Sequence, residues 1–188
     1  GLPHGHVALD AGPVNCASRG IRIALVGHTS HASMPEQGRS PVPAMAALMT
    51  SIVALSKSTH RERDFRLVTI THASVGEKAF GIAPGSGELW ATLRTQTDAT
   101  MAALCADTEA LVIDAARSNA LSHAISYDDI FLHCENHPEA VAILRSALDT
   151  ERVTHDKGDL PFRASEDFGR FGHAAKSAMF YLGTGLDT

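Results

Sequence analysis

Several things are scarce in this sequence, and each scarcity excludes something. Aromatic residues make up 5% of the chain, and the three cysteines, Cys16, Cys105 and Cys134, lie far apart. With no Cys-x-x-Cys spacing, a zinc ribbon and a dithiol redox motif are excluded, and the thiols read as reduced and mostly structural in a cytoplasmic protein. Long apolar runs are missing too, since stretches such as 111–113 and 180–182 fall far short of the roughly 20 residues that span a bilayer. Positive charge is neither in excess nor clustered: 16 Lys and Arg face 21 Asp and Glu, for a net charge of -5. Without a basic stripe, nucleic acid is not an expected partner. There is no P-loop, dinucleotide fingerprint, Gly-x-Ser-x-Gly elbow or His-Glu-x-x-His helix. Gly1 stands first and no charged-then-apolar leader follows it, so the sequence reads as cut from something longer.

What is present is 44% hydrophobic residues in a length of 188, enough for one domain or a domain and part of another. Ile21, Ile23 and Leu25 alternate with Arg22 and Ala24, the period of a half-buried strand. A loop at 27–43 rich in Pro and Gly follows, after which Met45, Leu48, Met49, Ile52 and Val53 recur at helical spacing to about Lys57. Strands are expected at 67–73 and 89–94, a helix capped by Asp98 and ending near Asn119, and a strand at 124–131. The order strand, helix, strand, strand, helix, strand is the ferredoxin-like unit, so the fold class is α+β. Beyond it come an amphipathic helix at 138–148, a short helix capped by Ser165 and a strand at 178–182. This tail cannot bury a core alone. The expected division is a crossing segment at 1–18, the ferredoxin-like domain at 19–133, and an incomplete α/β segment at 134–188.

Eleven histidines raise the question of a metal, which spacing has to answer. His4 and His6 would share a face in an extended segment, with Asp10 as the one acidic residue nearby, and two ligands do not make a zinc site. His31 sits in Gly27-His28-Thr29-Ser30-His31-Ala32-Ser33-Met34-Pro35, between a strand and a helix. An imidazole there either stabilises the loop or donates a hydrogen bond to a developing oxyanion. Arg94, on the polar face of its strand, is either an exposed strand arginine or a bidentate grip for a carboxylate. Glu166 and Asp167 are explained by the dipole of a helix start.

The stretch 27–43, with its Gly-x-x-x-His-Ala-Ser-x-Pro-Glu-x-Gly pattern, resembles the lid (dimerisation) domain signature of the metal-dependent aminoacylase, carboxypeptidase and hippurate-hydrolase family. Leu2-Pro3-x-Gly5 and Gly12-Pro13 are similar to the approach to that lid, and Ala83-Pro84-Gly85 through Leu93-Arg94-Thr95 to the family's Asn-x-x-Pro turn and following strand. Ser165-Glu166-Asp167-Phe168 through Leu182-Gly183-Thr184-Gly185 resembles the end of the catalytic domain. The resemblance covers essentially the whole chain and is closest to the hippurate-hydrolase and N-acyl-amino-acid amidohydrolase branch.

That resemblance implies a homodimer formed through the lid and a site with two divalent metal ions, zinc or manganese, that hydrolyses a small N-acyl amino acid. By position His31 takes the role of the lid histidine that stabilises the tetrahedral intermediate in the partner's site, and Arg94 that of the arginine binding the substrate carboxylate. Gly81 stands where many relatives have the Asn of Asn-x-x-Pro, which removes a side-chain contact to substrate and leaves room for close backbone approach. The family's Glu-Glu pair and its ligand motifs do not occur here, so no metal ligand is assigned and the chain alone is expected to be inactive. The competing reading is a non-catalytic dimerisation or ligand-binding module of ferredoxin-like fold.

Overall fold

The alternating residues around Ile23 and Ala91 form the centre of the molecule. A computed structural model describes residues 2–186; Gly1, Asp187 and Thr188, the outermost positions of the expected 1–18 and 134–188 segments, lie outside the described residues. Two short strands, β1 (Val7–Ala8) and β2 (Gly12–Asn15), precede the long β3 (Ala17–Val26). Then follow β4 (Ser30–His31), helix α1 (Val42–Val53), β5 (Arg66–Val75), β6 (Ile82–Ala83), β7 (Ser86–Thr95), helix α2 (Asp98–Ser118) and β8 (Ser122–Phe131). The tail holds β9 (Cys134–Asn136), helix α3 (Pro138–Thr150), β10 (His155–Asp156) and β11 (Tyr181–Leu182).

The four long strands form one antiparallel sheet in the order β5-β7-β3-β8. With α1 and α2 in the connections this is the ferredoxin-like arrangement. Ile21, Ile23 and Leu25 of β3 and Leu89, Ala91 and Leu93 of β7 point to the helices, where Met45, Leu48 and Ile52 of α1 and Met101, Leu104 and Val112 of α2 complete one buried cluster. The period-2 pattern of the strands and the helical stripes therefore meet on one face. On the other face the paired Arg22 and Trp90 stack, with the guanidinium carbon 4.2 Å from the ring centroid.

Element boundaries differ from the sequence expectation where backbone groups find other partners. Helix α1 stops at Val53, not near Lys57, because the Lys57 N–H and carbonyl pair with Arg66. Thr97, not Asp98, caps α2, its hydroxyl accepting from the Thr100 N–H at 3.2 Å. Ser165 caps no helix: the chain makes a 3-10 turn at Asp167–His173 with no side-chain cap, and Ser165 faces Arg94 instead. In the 178–182 stretch only Tyr181–Leu182 pairs as strand.

The segments before and after the large sheet assemble on each other. Strand β1 lies between β10, parallel, and β11, antiparallel, while β2 pairs with β9. Their apolar residues form two small clusters, one around Ala8, Val14, Cys134 and Leu160, the other around Val7, Leu9 and Val141. Two fully buried asparagines tie the segments: Tyr181 donates to the Asn15 side-chain oxygen at 2.8 Å, and Asn136 Nδ2 donates to the Asp10 and Met179 carbonyls at 2.9 and 2.8 Å. Asn136 Oδ1 also accepts from the Met179 N–H at 2.8 Å. All three cysteines are free and buried, and no described helix is long and apolar enough to cross a membrane.

Replacing Asn136 with Leu keeps the volume and strands these backbone groups in an apolar setting. The expected cost is about 3 kcal/mol of stability, from unpaired buried polar groups. Urea unfolding measures it, and hydrogen exchange should show the Met179 amide losing protection. An unchanged midpoint would count against this role for Asn136.

Candidate functional site

Strand β4 exists because the loop after β3 turns back onto the loop before β7. Ser30 pairs with Ala83 and His31 with Ile82, and the Ala32 N–H donates to the Gly81 carbonyl at 3.0 Å. The base of this ribbon is closed by the Gly27 N–H donating to the Gly85 carbonyl at 2.7 Å. Glycine is needed at Gly27, where a Cβ would lie 2.1 Å from the Arg39 carbonyl oxygen, and again at Gly85 and Gly38. A Cβ on Gly85 would sit 2.5 Å from the Thr29 nitrogen, and one on Gly38 2.8 Å from the His28 carbonyl oxygen. At Gly81, by contrast, φ is ordinary and a Cβ would meet no described atom within 4 Å, so the space beside this backbone is open.

The ribbon fixes the chemistry of His31. Its Nδ1 accepts the Ser33 backbone N–H at 3.2 Å and lies 2.7 Å from the Ser33 hydroxyl. A nitrogen that accepts an N–H carries no proton, so the neutral ring has its hydrogen on Nε2. The side chain is exposed, and that Nε2–H is free to donate to an oxyanion.

Arg94 lies elsewhere. It is on β7 opposite Ser18 and Leu67, half-buried, and its Nη1 donates to the Arg163 carbonyl at 3.0 Å and approaches the Ser165 hydroxyl at 3.4 Å. These contacts aim the guanidinium along the tail. Burial pushes the nearby Cys16 thiol up to about 11, against the opposing charges of Arg94 and Arg163. At the other end of β7, Ser86 pairs with Val26, next to the His31 ribbon. Eight residue steps separate Ser86 from Arg94, on the order of 26 Å of extended chain. The structure thus brings His31 and Gly81 together and sets Arg94 far from both.

Of the histidine pair near the N-terminus, His6 Nε2 lies 3.1 Å from Asp156 Oδ1, and this contact holds the Asp156 carboxyl below its usual range. Among the described residues no group of three or more His, Cys, Asp or Glu side chains is placed to hold a metal ion. The residues present do not fit the two-metal site implied by the resemblance.

A charged cluster that sequence reading missed joins α2 to β9. His133 Nδ1 lies 2.8 Å from Asp98 Oδ2, its Nε2 lies 3.5 Å from Glu135 Oε2, and its backbone N–H donates to Asp98 Oδ1 at 3.0 Å. Nδ1 has no well-aligned hydrogen-bond partner, so its close approach to Asp98 is an ion pair whenever the imidazole is protonated. The cluster borders a cavity of about 240 Å³ shared with His137, Phe168 and His173. The Asp98 contact raises the His133 pKa above its ordinary value against the opposing effect of burial. Burial pushes Asp98 up, but the His133 contacts outweigh it and hold the carboxyl low. The available sequence signal was the i, i+2 spacing of His133, just before β9, and Glu135 within it, which an extended chain places on one side.

The sign of the pH dependence follows. A raised histidine contributes stability fully below its unfolded value and loses it as pH rises through the folded value; a depressed aspartate contributes above its unfolded value and loses it as pH falls through the folded value. The stability difference between the native protein and a His133→Gln variant is therefore expected to be widest between about pH 4 and 6.5 and to narrow above that. Denaturant unfolding at pH 5.5 and 9 tests this, and an equal difference at both pH values would contradict it.

Comparison with known proteins places this geometry. The chain is 26% identical over 183 residues to the N-acetyldiaminopimelate deacetylase of Shouchella clausii, a match covering 97% of this chain and 48% of that protein. Among solved structures it superposes on one described as an aminohydrolase from methicillin-resistant Staphylococcus aureus, with a TM-score of 0.83 at 22% identity over 97% of this chain and 47% of that one. It also superposes on a Bacillus subtilis protein described as a dinuclear metal-binding peptidase of the M20 family, with a TM-score of 0.78 at 15% identity over 98% of this chain and 45% of that one. The chain spans about half the length of these relatives. Residues 16–120 match the peptidase dimerisation domain, and the chain belongs to the M20 peptidase dimerisation-domain family, carrying that domain with part of the adjoining catalytic domain.

Proposed function

We propose that this chain is the lid-bearing part of an amidohydrolase that cleaves the amide bond of a small, hippurate-like N-acyl amino acid, and that the enzyme works as a homodimer joined through the lid. Residues 19–133 are the lid in this reading, and residues 1–18 and 134–188 belong to the catalytic domain. The proposal includes two divalent metal ions, zinc or manganese, in the parent protein, held by residues other than those described here. The name of the Bacillus subtilis neighbour supports the metals, and that of the deacetylase relative supports an N-acyl substrate. A cytoplasmic location goes with the three buried, free thiols.

The observation that carries this reading is the separation of His31 from Arg94 by the length of β7. One small substrate cannot touch both within a chain. It can if Arg94 holds its carboxylate in one protomer while the partner's lid supplies His31. Arg94, steadied by Arg163 and Ser165, presents a charged fork suited to a carboxylate. The Nε2–H of His31 then donates to the amide oxygen as negative charge develops on it. That contact is stronger in the transition state than in the ground state, which is what accelerates the reaction.

Two expectations follow for the parent protein. His31→Ala should lower kcat by roughly 10²- to 10³-fold with metal content unchanged, the range for loss of one oxyanion donor. Mixing inactive His31→Ala and Arg94→Ala protomers should restore about a quarter of the native activity, because half of the dimers are hybrids and each hybrid has one intact site. Subunit mixing followed by an activity assay decides it. No recovery in a mixture shown to contain hybrids would place both residues in one chain's site and end the proposal.

A further inference from the structure

The ribbon that presents His31 carries an aromatic side chain that none of the described residues covers. Phe80 is fully exposed, at 106% of its reference area, and Ile82, two residues on, is 53% exposed. A phenylalanine left in water forgoes the gain of burying its ring. The exposed ring does not hang from a loose end. The Gly76 N–H donates to the Ser86 carbonyl at 2.9 Å across the base of its loop, and the Gly81 carbonyl, one residue on, is held by Ala32. His31 and Ile82 stand directly opposite each other across the ribbon, so their side chains leave from one face. Between Phe80 and Ile82 lies Gly81, with open space where its side chain would be.

We infer that Phe80 selects the acyl group of the substrate, favouring a bulky apolar one. The inference rests on the reading that His31 reaches the reacting carbonyl in the partner's site. That carbonyl carbon has two substituents besides its oxygen. The amide nitrogen leads back to the α-carbon and the carboxylate at Arg94. The acyl group leads away from Arg94, and the groups that arrive with His31 are the ones it meets. By alternation along the ribbon Phe80 lies on the face of Ile82 and His31, and there it gives the acyl group an apolar wall. The rival occupant of this tip is the surface of a second copy of the chain, with Phe80 as an anchor of the dimer.

The test uses the parent protein with its metals, assayed for kcat/KM on N-acetyl and N-phenylacetyl derivatives of one amino acid. Phe80→Ala removes a side chain that packs on nothing, so the fold is retained. It should lower kcat/KM for the phenylacetyl substrate roughly 10- to 100-fold while the acetyl substrate changes by no more than about twofold. Equal losses on both substrates, no loss on either, or a loss that follows dissociation of the dimer in sedimentation would each overturn the inference. His31→Ala serves as the separate control: it should slow both substrates alike. If it slows neither, the reading of His31 fails; if it slows both while Phe80→Ala does not discriminate, only the selectivity assignment fails.

Discussion

The ten-residue pairing of β3 with β7, from Ala17 opposite Thr95 to Val26 opposite Ser86, is the constraint on which everything else depends. Both strands are interior to the sheet, so their backbones are bonded on two sides, and their inward side chains form the floor on which both helices pack. A slip of one residue would turn Ile21, Ile23 and Leu25 out to the solvent and Arg22 in, so the register is strongly specified. The same register decides where the functional groups go. It carries Arg94 to the end of the sheet that meets the tail and leaves the His31 ribbon at the other.

The two ends of the sheet are held differently. At the Arg94 end the chain is polar and densely cross-linked, with buried asparagines, the His133–Asp98 pair and the Arg94 contacts all joining segments distant in sequence. At the His31 end, hydrogen bonds between backbone groups and glycines at close approach do the holding, and the side chains are left exposed. The first arrangement suits a junction between two parts of one chain. The second suits a surface whose side chains work on something outside the chain.

Much of this was legible in the sequence, for a physical reason: where one face of an element is buried, its period is written in residue types. β3, β7, α1, α2 and α3 follow from such periods, whereas β5, at the sheet edge, was marked by its β-branched residues. Short paired segments carry no period, so β4 and β6, two residues each, could not be seen, although the loop motif drew attention to His31 itself. Residue type alone did not choose between Thr97 and Asp98 as a cap, since both can accept a backbone N–H. The pair formed by Asp98 and His133 was hidden by 35 positions of intervening chain. The separation of His31 from Arg94 is a property of strand order, which becomes visible only once the sheet is assembled.

The hydrogen bond from the Ser33 N–H to Nδ1 of His31 decides which edge of the ring faces outward. With Nδ1 turned to the chain's own backbone, Nε2 is the atom the exposed side chain offers to whatever approaches it. The loop thus uses one edge of the imidazole for its own folding and leaves the other for use, so the same short ribbon shapes itself and aims a side chain.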